Sequence, residues 1–337
     1  MKLADTLSNL LGELDWRAQL HDSWMQGAAP RQAPSVDLAV CLFQPGQAPQ
    51  AGNVLLSREG LVKARLPAHF GAAEGIAFQA DVRDTELNSV AWLPDADWSH
   101  IAFPPLHGEG WRFVAPYPAS LLKLMLAAGV THWLDTQGGS IDQAWSHDGD
   151  ERCLRSWQHD MLALSCNRAT DALVAWGHAV GLLPGALPEL LRNLGLPTLR
   201  FEHTTPRGGW RNADGAGVGA IQMTAWDALR LVWWLDPTLP PCAWTDLPRL
   251  RDSSALWTAL AGQQLPGLIR RPGFAHKTGN TDNYSADAGR WDLGQGRVAL
   301  VAVTSSLGKR FAEGDPGGFA PALVKLGERL ACQLEAA

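Results

Sequence analysis

Apolar positions recur with two different periods along this chain. Val36 to Phe43, Asn53 to Ser57, Ile76 to Val82 and Ser89 to Leu93 are short apolar or alternating runs broken by Pro, Gly and Asp. They predict strands joined by turns. From Tyr117 the pattern changes, and residues 116–270 carry mostly helical spacing with proline-rich connections such as Asp236-Pro-Thr-Leu-Pro-Pro241. Residues 273–305 return to strand patterning. Ala286 to Trp291, a turn over Asp292-Leu-Gly-Gln-Gly296 and the run from Arg297 to Thr304 predict a hairpin. Residues 1–28 read as helical, Gly27 to Pro34 as a linker, and Ala320 to Leu334 as a closing helix. Strands near both ends with helices between them predict an α+β fold. An antiparallel sheet built from both chain ends is flanked by helices and lies beside an all-helical lobe. The expected organisation is an N-terminal helix and linker over residues 1–34, then one domain over 35–337. Within that domain, 35–115 and 271–337 form the α/β lobe and 116–270 the helical lobe.

Composition narrows the partners. With 337 residues, 46% of them hydrophobic, the chain can bury a large core. A net charge of −6 with scattered signs and no basic run argues against nucleic acid or an anionic membrane surface as a partner. No apolar run is long enough to span a membrane. The N-terminus lacks the basic start and long apolar core of an export signal, so the sequence predicts a cytoplasmic protein, or a periplasmic one if such a signal has been removed. Five cysteines without Cys-x-x-Cys spacing fit reduced thiols. Ten histidines show no metal-ligand spacing, so neither a metal nor another cofactor is expected. The sixteen tryptophans should mostly pack the core, with Trp210 or Trp145 as candidates to line a cleft.

Three short motifs follow one another in order: Ser120-Leu-Leu-Lys123, Ser165-Cys-Asn167 and Lys277-Thr-Gly279. Each has a bland reading. Ser120 behind Tyr117-Pro118-Ala119 sits where a helix begins, so it can be a cap, with Lys123 snorkelling at the surface. It can also be a nucleophile, because Lys123 lies one turn along and Leu121, Leu122 and Leu124 supply the burial that turns a lysine into a base. Ser165 and Asn167 lie between two helical patterns, where they can cap the second helix or relay a proton and hold a carbonyl. A strand carrying Lys277 and Thr278, expected on one side, presents a cation and a hydroxyl to a carboxylate, and Gly279 admits close backbone. His276 should point away and pack. The chain has only six lysines, and two of them stand in these motifs. That contrast fits a demand for a compact, deprotonatable amine.

The ordered set Ser-x-x-Lys, Ser-x-Asn, Lys-Thr-Gly resembles the penicillin-recognising serine hydrolases, the class A β-lactamases and penicillin-binding proteins, over roughly residues 115–305. The resemblance implies that Ser120 is acylated, Lys123 is its base partner and Ser165 relays the proton. Asn167, Lys277, Thr278 and Gly279 then bind substrate, and the N–H groups of Ser120 and Asn280 form the oxyanion hole. The deacylating glutamate of class A enzymes, followed three residues on by Leu-Asn, has no clear counterpart. Between the second and third motifs stand Glu189, in a helical Pro188-Glu-Leu-Leu-Arg192, and Glu202, followed by His203-Thr-Thr-Pro206. Glu202 is the candidate deacylation base, or else a surface carboxylate at a strand end. The expectation is therefore a serine hydrolase that cleaves an amide, peptide or ester in a small-molecule or peptide substrate bearing a carboxylate. The alternatives are a class A-like β-lactamase, a D-Ala-D-Ala carboxypeptidase and a non-catalytic ligand-binding protein.

Overall fold

The computed structural model describes residues 2–16, 18–30, 32–84, 89–93, 96–210 and 220–337. The chain enters through α1 (Leu3–Gly12) and lays down β1 (Val36–Phe43), β2 (Gln50–Ser57) and β3 (Gly60–Lys63). Three further strands follow, β4 (Ile76–Ala80), β5 (Pro105–His107) and β6 (Trp111–Ala115). The middle of the chain holds α2 (Lys123–Gln137), a hairpin of β7 (Ala144–His147) and β8 (Asp150–Cys153), then α3 (Leu154–Ala163), α4 (Asn167–Val180) and α5 (Leu187–Asn193). A small pair, β9 (Arg200–Phe201) and β10 (Ile221–Gln222), precedes α6 (Ala225–Leu235) and α7 (Ser254–Ala261). The chain closes with β11 (Phe274–Asn280), β12 (Ser285–Gly294), β13 (Arg297–Ser305) and α8 (Pro321–Ala336).

Strands from the two ends share one sheet in the order β11-β12-β13-β1-β2-β3. All its pairings are antiparallel, and β1 meets β13 with Val36 opposite Ser305 and Phe43 opposite Val298. β1 is buried along its whole length because both sheet faces are covered. Its residues alternate between two cores, as a two-residue period requires. Leu38, Val40 and Leu42 pack with α1 and α8, whereas Ala39, Cys41 and Phe43 pack with the helical lobe. Leu7, Leu10 and Leu11 of α1 belong to the first of these cores, so the N-terminal helix is built into the sheet layer.

Every residue of α6 is buried. Its N-terminus is capped twice. The Thr224 hydroxyl accepts from the Asp227 N–H, and the Asp37 carboxylate of β1 accepts from the Ala225 N–H at 2.8 Å. α2 is buried along its first two turns, Lys123 to Val130, as an all-round apolar run demands.

Two expected elements differ. Helix at the N-terminus stops at Gly12, after which the Trp16 indole donates to the Leu11 carbonyl and a short turn over Ser23–Met25 is capped by Asp22. Ser89 to Leu93 forms turns, joined to the rest by one bridge between Arg83 and Ser89. There Trp92 packs edge-on against Tyr284, and its indole donates to the Ser35 hydroxyl, so the apolar residues serve packing instead of a ladder.

Candidate active site

Ser120 lies in a 3-10 turn, Ala119–Leu122, that feeds directly into α2. Ala119 before it takes a left-handed φ of 49°, a conformation that tertiary packing must impose on a residue with a Cβ. The packing comes from β11. A Cβ on Gly279 would stand 2.2 Å from the Pro118 carbonyl oxygen, 2.5 Å from the Leu121 nitrogen and 2.9 Å from the Ser120 nitrogen. Glycine at 279 thus lets the strand lie on the turn that carries Ser120, a protein–protein contact where the sequence suggested room for substrate.

Lys123 opens α2 and is buried. Its amine donates to the Ser165 carbonyl at 2.7 Å and to Asn167 Oδ1 at 2.9 Å, and lies 3.4 Å from Ser165 Oγ. Those acceptors are delivered by the α3–α4 connection, in which Ser165 has a left-handed φ of 55°. Lys277 of β11 reaches the same hydroxyl from the other side. Its amine donates to Ser165 Oγ at 3.0 Å and to the Thr278 carbonyl at 2.7 Å. Three motifs far apart along the chain therefore meet at one hydroxyl. Among the described residues, the Lys123 amine makes no hydrogen bond to Ser120. Hydrogen bonds of this kind are often long without substrate and tighten once it binds.

Both amines are electrically stressed. Burial holds Lys123 down to about 8, against the opposing pull of Cys166 and Asp171. Burial, and after it the charge of Lys123, pushes Lys277 well below its ordinary value, with Asp287 opposing. Among the described residues neither amine contacts a carboxylate in an ion pair, so burial favours the neutral form of both.

A cleft of about 490 Å³ opens over this arrangement. Ser120, Lys123, Asn167 and Asn280 line it, together with Tyr117, Thr281 and Trp210. Asn280 donates through its side chain to the Gly317 carbonyl, which ties the end of β11 to the loop ahead of α8. Adjacent residues on a strand point to opposite faces, so Thr278 and Lys277 diverge, contrary to the expectation of a shared side. The buried Thr278 hydroxyl accepts from the Gln263 amide at 3.3 Å. His276 packs away from Lys277, stacked on Phe274 and bonded to Asp287 at 2.8 Å.

Glu202 follows β9 with its side chain half exposed, 3.9 Å from Arg200, and is not among the residues lining the cleft. Trp145 is also absent from that lining; its carbonyl accepts from the Trp157 indole. Sequence reasoning passed over Asp171. It stands four residues after Asn167 on α4, hence on the same helix face, and it lines the cleft. That spacing was the available signal.

This topology has counterparts among solved structures. A class A β-lactamase from Bacteroides cellulosilyticus superposes with a TM-score of 0.54 over 99% of this chain and 97% of its own, at 11% identity. The chain has the β-lactamase fold. The TLA-1 extended-spectrum β-lactamase matches with a TM-score of 0.53 at 13% identity, over 98% of this chain and 99% of its own. A mutant of the penicillin-binding protein PBP-A, an acyl-enzyme complex with penicillin G, matches with a TM-score of 0.50 at 15% identity, over 66% of this chain and 83% of its own. No protein-family model and no curated protein matches the sequence. Likeness at these identities speaks for the β-lactamase fold, and chemistry must be argued from the residues.

Proposed function

We propose that this protein is a serine hydrolase that forms an acyl-enzyme on Ser120 with an amide, peptide or ester substrate bearing a carboxylate. One observation carries the reading: the amines of Lys123 and Lys277 converge on Ser165 Oγ beside a cleft lined by Ser120. A cap and a surface lysine would not require two buried amines around one hydroxyl.

In this reading the neutral Lys123 amine takes the Ser120 proton as Oγ attacks the carbonyl carbon. The oxyanion that forms is held by the N–H groups of Ser120 and Asn280, which the Gly279 contact brings to one end of β11. Two such donors typically supply a few kcal/mol each. The Asn167 amide, its oxygen already engaged by Lys123, keeps its N–H₂ to hold a substrate carbonyl. The leaving nitrogen takes its proton from Ser165, which is resupplied through the lysines. The Lys277 amine, taking up a proton as the anion enters, attracts the substrate carboxylate. The acyl-enzyme named for PBP-A and the β-lactamase names of the other neighbours support penicillins as probes of this site.

The test is intact-mass spectrometry after incubation with penicillin G, nitrocefin and p-nitrophenyl acetate. A covalent adduct that is lost in Ser120→Ala is expected. Absence of any adduct on the unmodified protein would favour a ligand-binding role without catalysis.

A further inference from the structure

A serine acylated in a closed cleft needs a second device to release the acyl group, because water is a poor nucleophile until a base takes its proton. Among the described residues lining the cleft, Asp171 is the only carboxylate. Glu202, the candidate from sequence, stands outside it.

The loop after β9 is built around Asp171. Thr204 and Trp210 pair as an isolated bridge, the Gly208 N–H donates to the Thr205 carbonyl at 3.0 Å, and the Thr205 N–H donates to the Gly209 carbonyl at 3.1 Å. His178 of α4 meets the Thr204 hydroxyl at 2.9 Å and fixes the loop to the helix that bears Asp171. Gly208 and Gly209 have left-handed φ values of 91° and 70°. A Cβ at 208 would lie 2.7 Å from Asp171 Cβ, and one at 209 would lie 3.6 Å from Asp171 Oδ1. The Gly209 backbone N–H lies close enough to the carboxylate to favour its charged form, against the burial that raises it. A tight turn of two glycines thus closes over one side of the group, and the other side borders the cleft.

We propose that Asp171 is the general base that activates water to release the acyl group from Ser120. The proposal rests on the acyl-enzyme reading above. Asp171 accepts one proton from a water in the cleft while the water oxygen bonds to the acyl carbon. The tetrahedral adduct then collapses, the bond from that carbon to Ser120 Oγ breaks, and the proton held by Asp171 passes to Oγ through Lys123. The acid product leaves, and serine, lysine and aspartate return to their starting states. Burial raises the Asp171 carboxyl above its usual range, which strengthens it as a base. The groups whose charges act on it are Lys123 of α2, His147 and Asp148 at the tip of the β7–β8 hairpin, and the Gly209 N–H. A carboxylate on α4, one turn beyond Asn167, would serve here in place of a glutamate further along the chain.

Asp171→Asn separates chemistry from scaffolding, because its amide keeps the size of the carboxylate and can still turn its oxygen toward the Gly209 N–H. Quench-flow followed by intact-mass spectrometry, with penicillin G, nitrocefin and p-nitrophenyl acetate, measures acylation and deacylation separately. In the variant, acylation is expected to stay within about threefold of the parent protein, while the adduct decays about 10²–10³ times more slowly. The parent deacylation rate should fall on acidification as Asp171 gains its proton, and the variant should lose that limb. Asp171→Ala gives an independent reading, since added formate should restore decay if a carboxylate is what the step lacks. Unchanged decay in Asp171→Asn would overturn the proposal and leave Asp171 as a loop anchor. A parent adduct that persists with all three probes would overturn it as well. No adduct on the parent at all would instead sink the acyl-enzyme reading.

Discussion

The Lys277 amine donates to the Ser165 hydroxyl across 3.0 Å, joining the edge strand of the sheet to the connection between two helices. Lys277 is fully buried, and its charge is held at the cost of desolvation. Lys277→Met keeps the volume and removes the amine. It is expected to slow acylation of Ser120 by about 10²-fold or more, yet to melt at the same temperature or higher, because a desolvated polar group is replaced by an apolar one. Stopped-flow with a fluorescent penicillin and thermal melts followed by circular dichroism check the two halves separately.

On the proposed chemistry, Lys123 sets the pH dependence of acylation. Its amine acts as a base only when neutral, and it titrates at about 8 in the folded protein. The acylation rate should climb about tenfold per pH unit below that value and level off above it. Stability carries the same signature. Between pH 8 and the ordinary lysine value the unfolded chain binds this proton and the folded one does not, so stability rises with pH across that window. Denaturant titrations of the parent and of Lys123→Met should differ by that slope, and identical slopes would contradict it.

Gly279→Ala forces a Cβ into the Pro118 carbonyl and the backbone of the Ser120 turn. Overpacking of this kind typically costs about 1–3 kcal/mol. Because the displaced atoms belong to the turn that carries Ser120, acylation should fall by at least about tenfold even at temperatures where the variant is fully folded. Urea denaturation and acylation rates on the same sample test both effects.

Asp37 predicts a pH effect remote from the cleft. Burial lifts its carboxyl to about 7, opposed by the Ala225 N–H and the Asn53 amide. The folded state therefore binds a proton more readily than the unfolded chain between the usual aspartate value and pH 7, so stability declines as pH rises through that window. Asp37→Asn removes the titration. Asn53 Oδ1 has no hydrogen-bond partner, and a flip of that amide lets it accept from the N–H₂ that the substitution introduces. The expected result is a flatter profile of melting temperature between about pH 4 and 7. A profile unchanged from the parent would refute the assignment.

What the sequence made legible was what chemistry or turn geometry dictates locally. Val36–Phe43 and the β12–β13 hairpin could be read because continuous apolar runs end at residues that turn. The apolar run behind Ser120 announced a buried helix. Ser120, Lys123, Ser165, Asn167 and Lys277 could be listed because the residue types and their order are specific, and the structure brings them together. Long-range geometry was not legible. Whether Glu202 enters the cleft depends on how the chain leaves β9, and there it runs along the surface. The purpose of Gly208 and Gly209 becomes visible only with Asp171 beneath them. Ser89 to Leu93 has strand-like composition, but its Trp92 found a ring to pack on in Tyr284. β6 pairs in parallel with β4, a partner more than 30 residues away that no periodicity reveals.

The placement of β1 between β2 and β13 has a consequence for synthesis. As the polypeptide leaves the ribosome, β1 emerges long before its second neighbour, Arg297–Ser305. Until then one edge of an almost wholly apolar strand stays unzipped, which exposes the nascent protein to misassociation. β11 also arrives late, and it braces the Ser120 turn. A nascent chain halted before β11 would thus carry the Ser120 turn without the strand that braces it.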